Sequence, residues 1–263
     1  MKRLQSLILL LLLSFSINHC YAQTGREPVP AENGMVVTSH YLASQVGTDI
    51  LKKGGNAIDA TVATAFALAV TLPSAGNIGG GGFIVYHGSN GKQTTFNFRE
   101  KAPLAATRDM FLGPDGQIKE NSNHQGLLST GVPGTVAGLY MAHQKFGQLP
   151  WATLLEPAIS LAENGFPSTY DMDWFVEWVK SNKNEYPSTA KAFLKDGKEK
   201  YKPGEIWKQP DLAETLKRIK AKGADGFYKG ETAKMIEDFM KANGGIITQQ
   251  DLLKYKAEEL TPV

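Results

Sequence analysis

The sequence predicts an α+β domain assembled on a fully buried helix. Residues 57–71 carry Ile58, Val62, Ala63, Phe66, Leu68 and Val70 around nearly every face of a helix. With no apolar run of membrane length in the chain, a helix without a polar side belongs in a protein core. Phe83 to Tyr86 and Thr94 to Arg99 are short apolar stretches joined by Ser89-Asn90-Gly91-Lys92. Asn-Gly between two such stretches is a hairpin signal. The later sequence is mainly helical, over Val136–Phe146, Ala152–Asn164, Asp171–Lys180, Asp211–Lys222 and Glu231–Ala242, with apolar residues at the spacing of a helix face.

In chain order, the first residues read as an export leader. Lys2 and Arg3 precede a mostly apolar run from Leu4 to Ile17, and Cys20-Tyr21-Ala22 places small residues where a signal peptidase reads. The run is shorter and more interrupted than a membrane span of about 20 apolar residues. A lipid on Cys20 is disfavoured by the bulky His19 before it. Residues 1–22 are thus a signal peptide, 23–33 a flexible lead-in with two prolines, and 34–263 the folded part. Cys20 is the one cysteine, so cleavage leaves no disulfide and no thiol nucleophile. That suits a bacterial periplasmic or secreted protein stabilised by its core alone. Loss of Lys2 and Arg3 leaves 26 basic against 26 acidic residues, a neutral balance that gives no argument for nucleic acid. No membrane span is expected after cleavage.

Met35 to Ser39 is a strand candidate, and Tyr41 to Lys53 a helix stopped by Gly54-Gly55. Asn56 can cap the buried helix and Pro73 closes it. Residues 181–210 are lysine-rich and low in apolar periodicity, an expected exposed excursion. Thr248 and Asp251 are placed to cap a final helix. Three or four short strands are few for the layer a buried helix needs, so the sequence reads as part of a larger sheet assembly.

Several stretches could carry chemistry. Five glycines fall between Gly76 and Gly82. A phosphate-binding loop follows a strand and opens a helix; here a helix precedes and a strand follows, which favours a turn with close backbone approach or a cleft-lining loop. Alternation puts Phe96 and Phe98 on one strand face and Thr95, Asn97 and Arg99 on the other. A guanidinium can hold a carboxylate with two parallel hydrogen bonds; equally, Arg99 can be a surface residue paired with Glu100 or Asp109. Ser129 to Thr135 offers hydroxyls without a histidine, lysine or free amine at a fixed offset to activate one, and Thr135 reads as a helix cap. The histidines (His19, His40, His87, His124, His143) show no metal spacing. Asp49, Glu156 and Glu163 read as solvated helix faces.

Five motifs in order resemble the gamma-glutamyltranspeptidase (glutathione hydrolase) family. They are Gln45-Val46-Gly47 through Gly54-Gly55-Asn56-Ala57 to Asp59-Ala60, then Ala75 to Phe83, Phe98-Arg99-Glu100 with Ala102-Pro103, Gly131 to Gly138, and Asn243 to Thr248. The resemblance runs from about Gly34 to Val263. It implies an N-terminal-nucleophile hydrolase fold, an αββα sandwich present here only in part. It also implies a precursor that cuts itself into large and small subunits. The nucleophile would be the N-terminal threonine of the small subunit, beyond Val263, so no catalytic residue lies in this chain and the chain alone would be inactive. Arg99 would be the substrate-binding residue, gripping the α-carboxylate of the gamma-glutamyl group. Glutathione and other gamma-glutamyl compounds, acceptor amino acids or peptides, and the missing C-terminal part and small subunit would be the partners, with no metal and no organic cofactor. A beta-lactam acylase or poly-gamma-glutamate enzyme of the same family, or a catalytically dead truncated product, are the alternatives. The leader pattern predicts Gln23 as the mature N-terminus. N-terminal sequencing of exported material checks this, and an intact Met1 or a lipid on Cys20 would count against it.

Overall fold

The helix over Ala57–Thr71 (α2) organises the fold, as its sequence requires. Eleven of its fifteen residues are buried, with Val62, Phe66 and Val70 fully so, while Ala57 and Thr61 are exposed and Ala65 and Leu68 half-buried along one remaining stripe. The computed structural model describes residues 28–262, and those from Val36 on form a single compact body. α2 packs on α1 (Tyr41–Lys52), α3 (Thr135–Phe146) and α4 (Trp151–Asn164). α4 in turn packs on α7 (Pro210–Lys222). The predicted helices are all present with ends moved by a residue or two. The segment expected as Asp171–Lys180 begins with a 3₁₀ turn at Tyr170–Met172 before α5 (Asp173–Ser181).

Local chemistry explains the two ends that frame α2. α1 stops at Gly54, which takes φ 88°. The N–H groups of Gly54 and Gly55 return to the carbonyls of Leu51 and Ile50, both at 3.0 Å, the paired bonds of a glycine-terminated helix. Asn56 then caps α2, accepting from the N–H groups of Ile58 and Asp59, while the Asp59 carboxylate accepts from the Asn56 N–H at 2.9 Å. This reciprocal box extends further than Asn56 alone suggests. Asp59 is fully buried and also accepts from the N–H groups of Gln148 and Leu149, at 3.0 and 3.2 Å. Its carboxyl oxygens are held by backbone amides, and the start of α2 is tied to the α3–α4 turn.

The hairpin forms as predicted, β1 (Phe83–His87) antiparallel to β2 (Gln93–Asn97). A third strand, β5 (Glu258–Leu260), adds to β2 and makes the sheet β1-β2-β5. On the inner face Tyr86 stacks on Phe146 of α3 at 4.4 Å, and Phe96 meets the same ring edge-on. Phe83 and Val85 on the outer face are 56% and 76% exposed; with Leu260 they leave an apolar sheet face open.

Three expectations change. Residues 35–39 form no strand: Met35 and Val37 are exposed and no partner strand runs beside them among the described residues. β2 ends at Asn97 rather than Arg99. Residues 181–210 are not simply an exposed excursion. They contribute α6 (Pro187–Phe193) and the two-residue strand β4 (Ile206–Trp207), paired with β3 (Phe166–Pro167). Trp207 is 2% exposed and contacts Phe166, Phe193 and Tyr201. A few aromatic rings make this satellite core, so apolar periodicity does not reveal it.

The remaining helices are α8 (Asp225–Tyr228), α9 (Gly230–Ala242) and α10 (Gln249–Lys254). Thr248 caps α10 as expected, in a box with Asp251. The buried Asp251 carboxylate also accepts from the Leu104 N–H at 2.6 Å, pinning the segment that follows Arg99 to α10. Burial works to raise the Asp251 pKa. The bonds from Leu104 and Thr248 outweigh it and hold the group below its ordinary value of 3.8. A depressed carboxylate contributes stability above its unfolded pKa and loses it as pH falls through the folded value. Asp251→Asn turns one acceptor into a donor facing a donor and should destabilise the fold by about 1–3 kcal/mol at neutral pH. Denaturant titrations should show the gap between wild type and variant closing as the pH falls below 3.8.

Candidate functional site

Arg99 lies where the hairpin stops being a ladder. The Phe98 N–H donates to the Gly82 carbonyl at 3.0 Å, and the Asn97 side chain turns back to accept from the Arg99 N–H at 3.1 Å. A side chain that satisfies the backbone two residues on releases the chain from the strand. Arg99 is therefore displayed on a bend two residues past β2. Phe96 and Phe98 do share the buried face, at 0% and 6% exposure.

Three segments are laced together beneath this bend. Lys101 and Val132 exchange backbone bonds of 3.3 and 2.8 Å, and the N–H groups of Gly134 and Thr135 both donate to the Gly80 carbonyl, at 2.7 and 3.0 Å. The glycines permit the approach. A Cβ at Gly81 would lie 2.5 Å from the Phe98 carbonyl oxygen, one at Gly134 2.0 Å from the same oxygen, and one at Gly138 2.1 Å from the Phe98 ring. The close-approach reading of the glycine loop is the one the backbone supports; the loop runs from α2 into β1 and opens no helix. Thr135 is not the cap expected of it. Gly134 occupies the cap position of α3, while the buried Thr135 hydroxyl faces the Asn77 side chain at 3.4 Å.

The Arg99 side chain is exposed and forms no ion pair among the described residues. The surface pairing with Glu100 or Asp109 is absent, and Asp109 sits instead beside Arg108 at 3.7 Å. The guanidinium is thus available to an external carboxylate. Asp49, Glu156 and Glu163 are solvent-facing as expected and partner Lys52, Lys220 and Lys217.

Two tyrosines that the sequence did not mark complete the surroundings. The Tyr255 hydroxyl donates to the Arg99 carbonyl at 2.8 Å. The Tyr228 ring stacks on Tyr255 at 5.7 Å, and its hydroxyl donates to the Pro133 carbonyl at 2.9 Å. Burial pushes the Tyr255 phenol up to about 12, helped by the negative Glu100 and Glu258. It pushes Tyr228 up as well. Only the C-terminal position of Tyr255, 156 residues from Arg99, kept it from view, since no local pattern links them.

The glycines can be separated by substitution. Gly134→Ala should destabilise the fold by about 1–3 kcal/mol through overpacking. Gly79, with no atom within 4 Å of an added Cβ, should tolerate alanine within about 0.5 kcal/mol. Urea denaturation of the two variants tests this, and equal effects would refute it.

The Gamma-glutamyltranspeptidase family profile matches residues 43–263. The glutathione hydrolase proenzyme of Pseudomonas sp. (strain A14) is 50% identical over 237 residues, 90% of this chain and 41% of the relative. That of Escherichia coli (strain K12) is 44% identical over 240 residues, again 90% and 41%. The crystal structure of Helicobacter pylori gamma-glutamyltranspeptidase superposes with a TM-score of 0.87 at 46% identity, over 90% of this chain and 68% of that one. The chain thus spans about two fifths of the length of these curated relatives. With a family match over most of its length, the chain belongs to the gamma-glutamyltranspeptidase family.

Proposed function

We propose that this chain is the N-terminal part of the large subunit of an exported gamma-glutamyltransferase/glutathione hydrolase, and that Arg99 holds the α-carboxylate of the gamma-glutamyl group. The observation that carries the reading is the state of Arg99. It is exposed and free of any ion pair among the described residues, on a bend held by its own Asn97 and by three other segments. A guanidinium carried on a braced backbone suits bidentate carboxylate recognition.

On this reading the reaction is completed by the portion of the relatives that this chain does not match. An N-terminal threonine, released when the precursor cuts itself, attacks the gamma-glutamyl carbonyl with its own amine as base. The amide C–N bond breaks, the amine leaves with the proton, and an ester forms on the threonine. Water then yields glutamate, or an amino acid or peptide amine yields a new gamma-glutamyl amide. Neither a metal nor an organic cofactor takes part. The open sheet face of Phe83, Val85 and Leu260 would receive the second sheet of an αββα sandwich, since stacked sheets bury such faces against each other. The leader pattern supports a periplasmic or secreted location. No helix among the described residues is long and apolar enough to cross a membrane.

The test joins this chain to the C-terminal portion of its Pseudomonas relative and assays a gamma-glutamyl anilide. Arg99→Lys loses a bidentate charge-assisted pair of about 1.5–3 kcal/mol. KM should rise roughly ten- to a hundred-fold. Residues 23–263 alone should release no product. Unchanged KM and kcat in Arg99→Lys would make Arg99 an ordinary surface residue.

A further inference from the structure

We infer that Tyr255 is a positioning residue for Arg99, acting through the backbone and not by touching substrate. The Arg99 peptide groups have no ladder partners, because β2 has already ended. Its N–H is satisfied by Asn97 at 3.1 Å and its carbonyl by the Tyr255 hydroxyl at 2.8 Å. Asn97 is the near neighbour and sets the bend. Tyr255 comes from the far end of the chain, just past α10, and fixes the bend relative to the rest of the body.

The phenol is itself held on several sides. Its ring lies parallel to that of Tyr228, with 8° between the planes, and the Lys101 ammonium sits over it at 5.6 Å. Lys101 is anchored on the Lys256 carbonyl at 3.1 Å and the Glu258 carboxylate at 2.6 Å. Gly134 leaves the space for the hydroxyl: a Cβ there would lie 2.1 Å from the Tyr255 oxygen. Tyr255 therefore stands where the Arg99 bend, the Gly131–Gly138 loop and the C-terminal segment meet, and its hydroxyl bonds the residue whose side chain is displayed. The titratable or charged groups around it are Glu100, Glu258, Lys101 and Tyr228. Burial first, then the negative Glu100 and Glu258, hold its phenol up at about 12, so at neutral pH it is a neutral donor.

Removing the hydroxyl should loosen the bend while leaving the ring packing intact. The inference rests on the gamma-glutamyl reading only for its kinetic part. Hydrogen–deuterium exchange on this chain tests the brace. In Tyr255→Phe the amides of residues 98–101 should exchange about ten-fold faster, with α2 unchanged. In the joined enzyme described above, KM for the gamma-glutamyl anilide should rise about five-fold with kcat within about two-fold, the mark of lost substrate binding in place of lost chemistry. Tyr228→Phe, which removes the bonds to the Pro133 carbonyl and from the Ala137 N–H and leaves the one to Arg99, should lower Tm without that rise in KM. Unchanged exchange in Tyr255→Phe overturns the inference. So does an equal KM rise in both tyrosine variants, or an unchanged KM in Tyr255→Phe where Arg99→Lys raises it. Faster exchange with KM unchanged in both Tyr255→Phe and Arg99→Lys overturns the substrate role while supporting the brace.

Discussion

The arrangement around Arg99 depends on how closely three backbones approach one another at Phe98. Its carbonyl oxygen leaves no room for a side chain at Gly81 or Gly134, and its ring leaves none at Gly138. Glycine weakens regular structure by roughly 0.5–1 kcal/mol relative to alanine, so these residues oppose stability by themselves. They are offset by the bonds that close approach allows, from Phe98 to Gly82, from Gly134 and Thr135 to Gly80, and between Lys101 and Val132. The result is an exposed arginine on an ordered backbone. Ordering the main chain in advance reduces what must be immobilised when a ligand arrives. What remains free is the side chain.

Beneath this lies the buried start of α2. Asp59 is fully buried, and burying a carboxyl group without hydrogen-bond partners is expensive. Amide N–H groups from Asn56, Gln148 and Leu149 replace its water. The Asn56 side chain donates in turn to the Phe146 carbonyl at 2.6 Å. Phe146 is also the ring on which Tyr86 and Phe96 pack. The cap of α2 and the inner face of the hairpin are thus fixed to the same end of α3. At its other end α2 runs into the glycine loop, where the Gly76 N–H returns to Leu72 at 2.7 Å and a Cβ on Gly76 would meet the Leu68 carbonyl at 2.2 Å. The helix sets the height at which the loop passes Phe98.

Features that depend on neighbours in sequence were legible, and those that depend on distant partners were not. Gly54 after α1, Asn56 before α2, the Asn90-Gly91 turn and the Thr248–Asp251 box each encode a backbone state within a few residues. The shared face of Phe96 and Phe98 follows from a period of two. β5 could not be read this way. Glu258-Glu259-Leu260 has the composition of a polar surface, and it is a strand because Thr95 to Asn97 lie alongside it. Glu259 is at home there because Lys145 pairs with it and the Thr94 hydroxyl donates to it at 2.7 Å. The departure of Arg99 from β2 turns on one competition. The Asn97 side chain offers the Arg99 N–H an acceptor inside the chain, and propensity along the strand does not report it. Tyr255 and Tyr228 look like ordinary core aromatics until their hydroxyls are traced to Arg99 and Pro133.

The exposure of Arg99 also constrains how it can serve as a carboxylate holder. An ion pair in open solvent contributes only about 0–1 kcal/mol, too little to select one ligand from another. The same guanidinium contributes more once water is excluded, because the effective dielectric falls. Among the described residues Arg99 is exposed to solvent. The sheet beside it presents Phe83, Val85 and Leu260 outward. If these apolar residues are buried by further structure, that structure also approaches the bend that carries Arg99, since Phe83 pairs with Asn97, two residues away. Covering the sheet and desolvating the arginine would then be one event. On the proposed reading, selectivity for an α-carboxylate would belong to the assembled protein, and this chain would contribute the position from which the guanidinium acts.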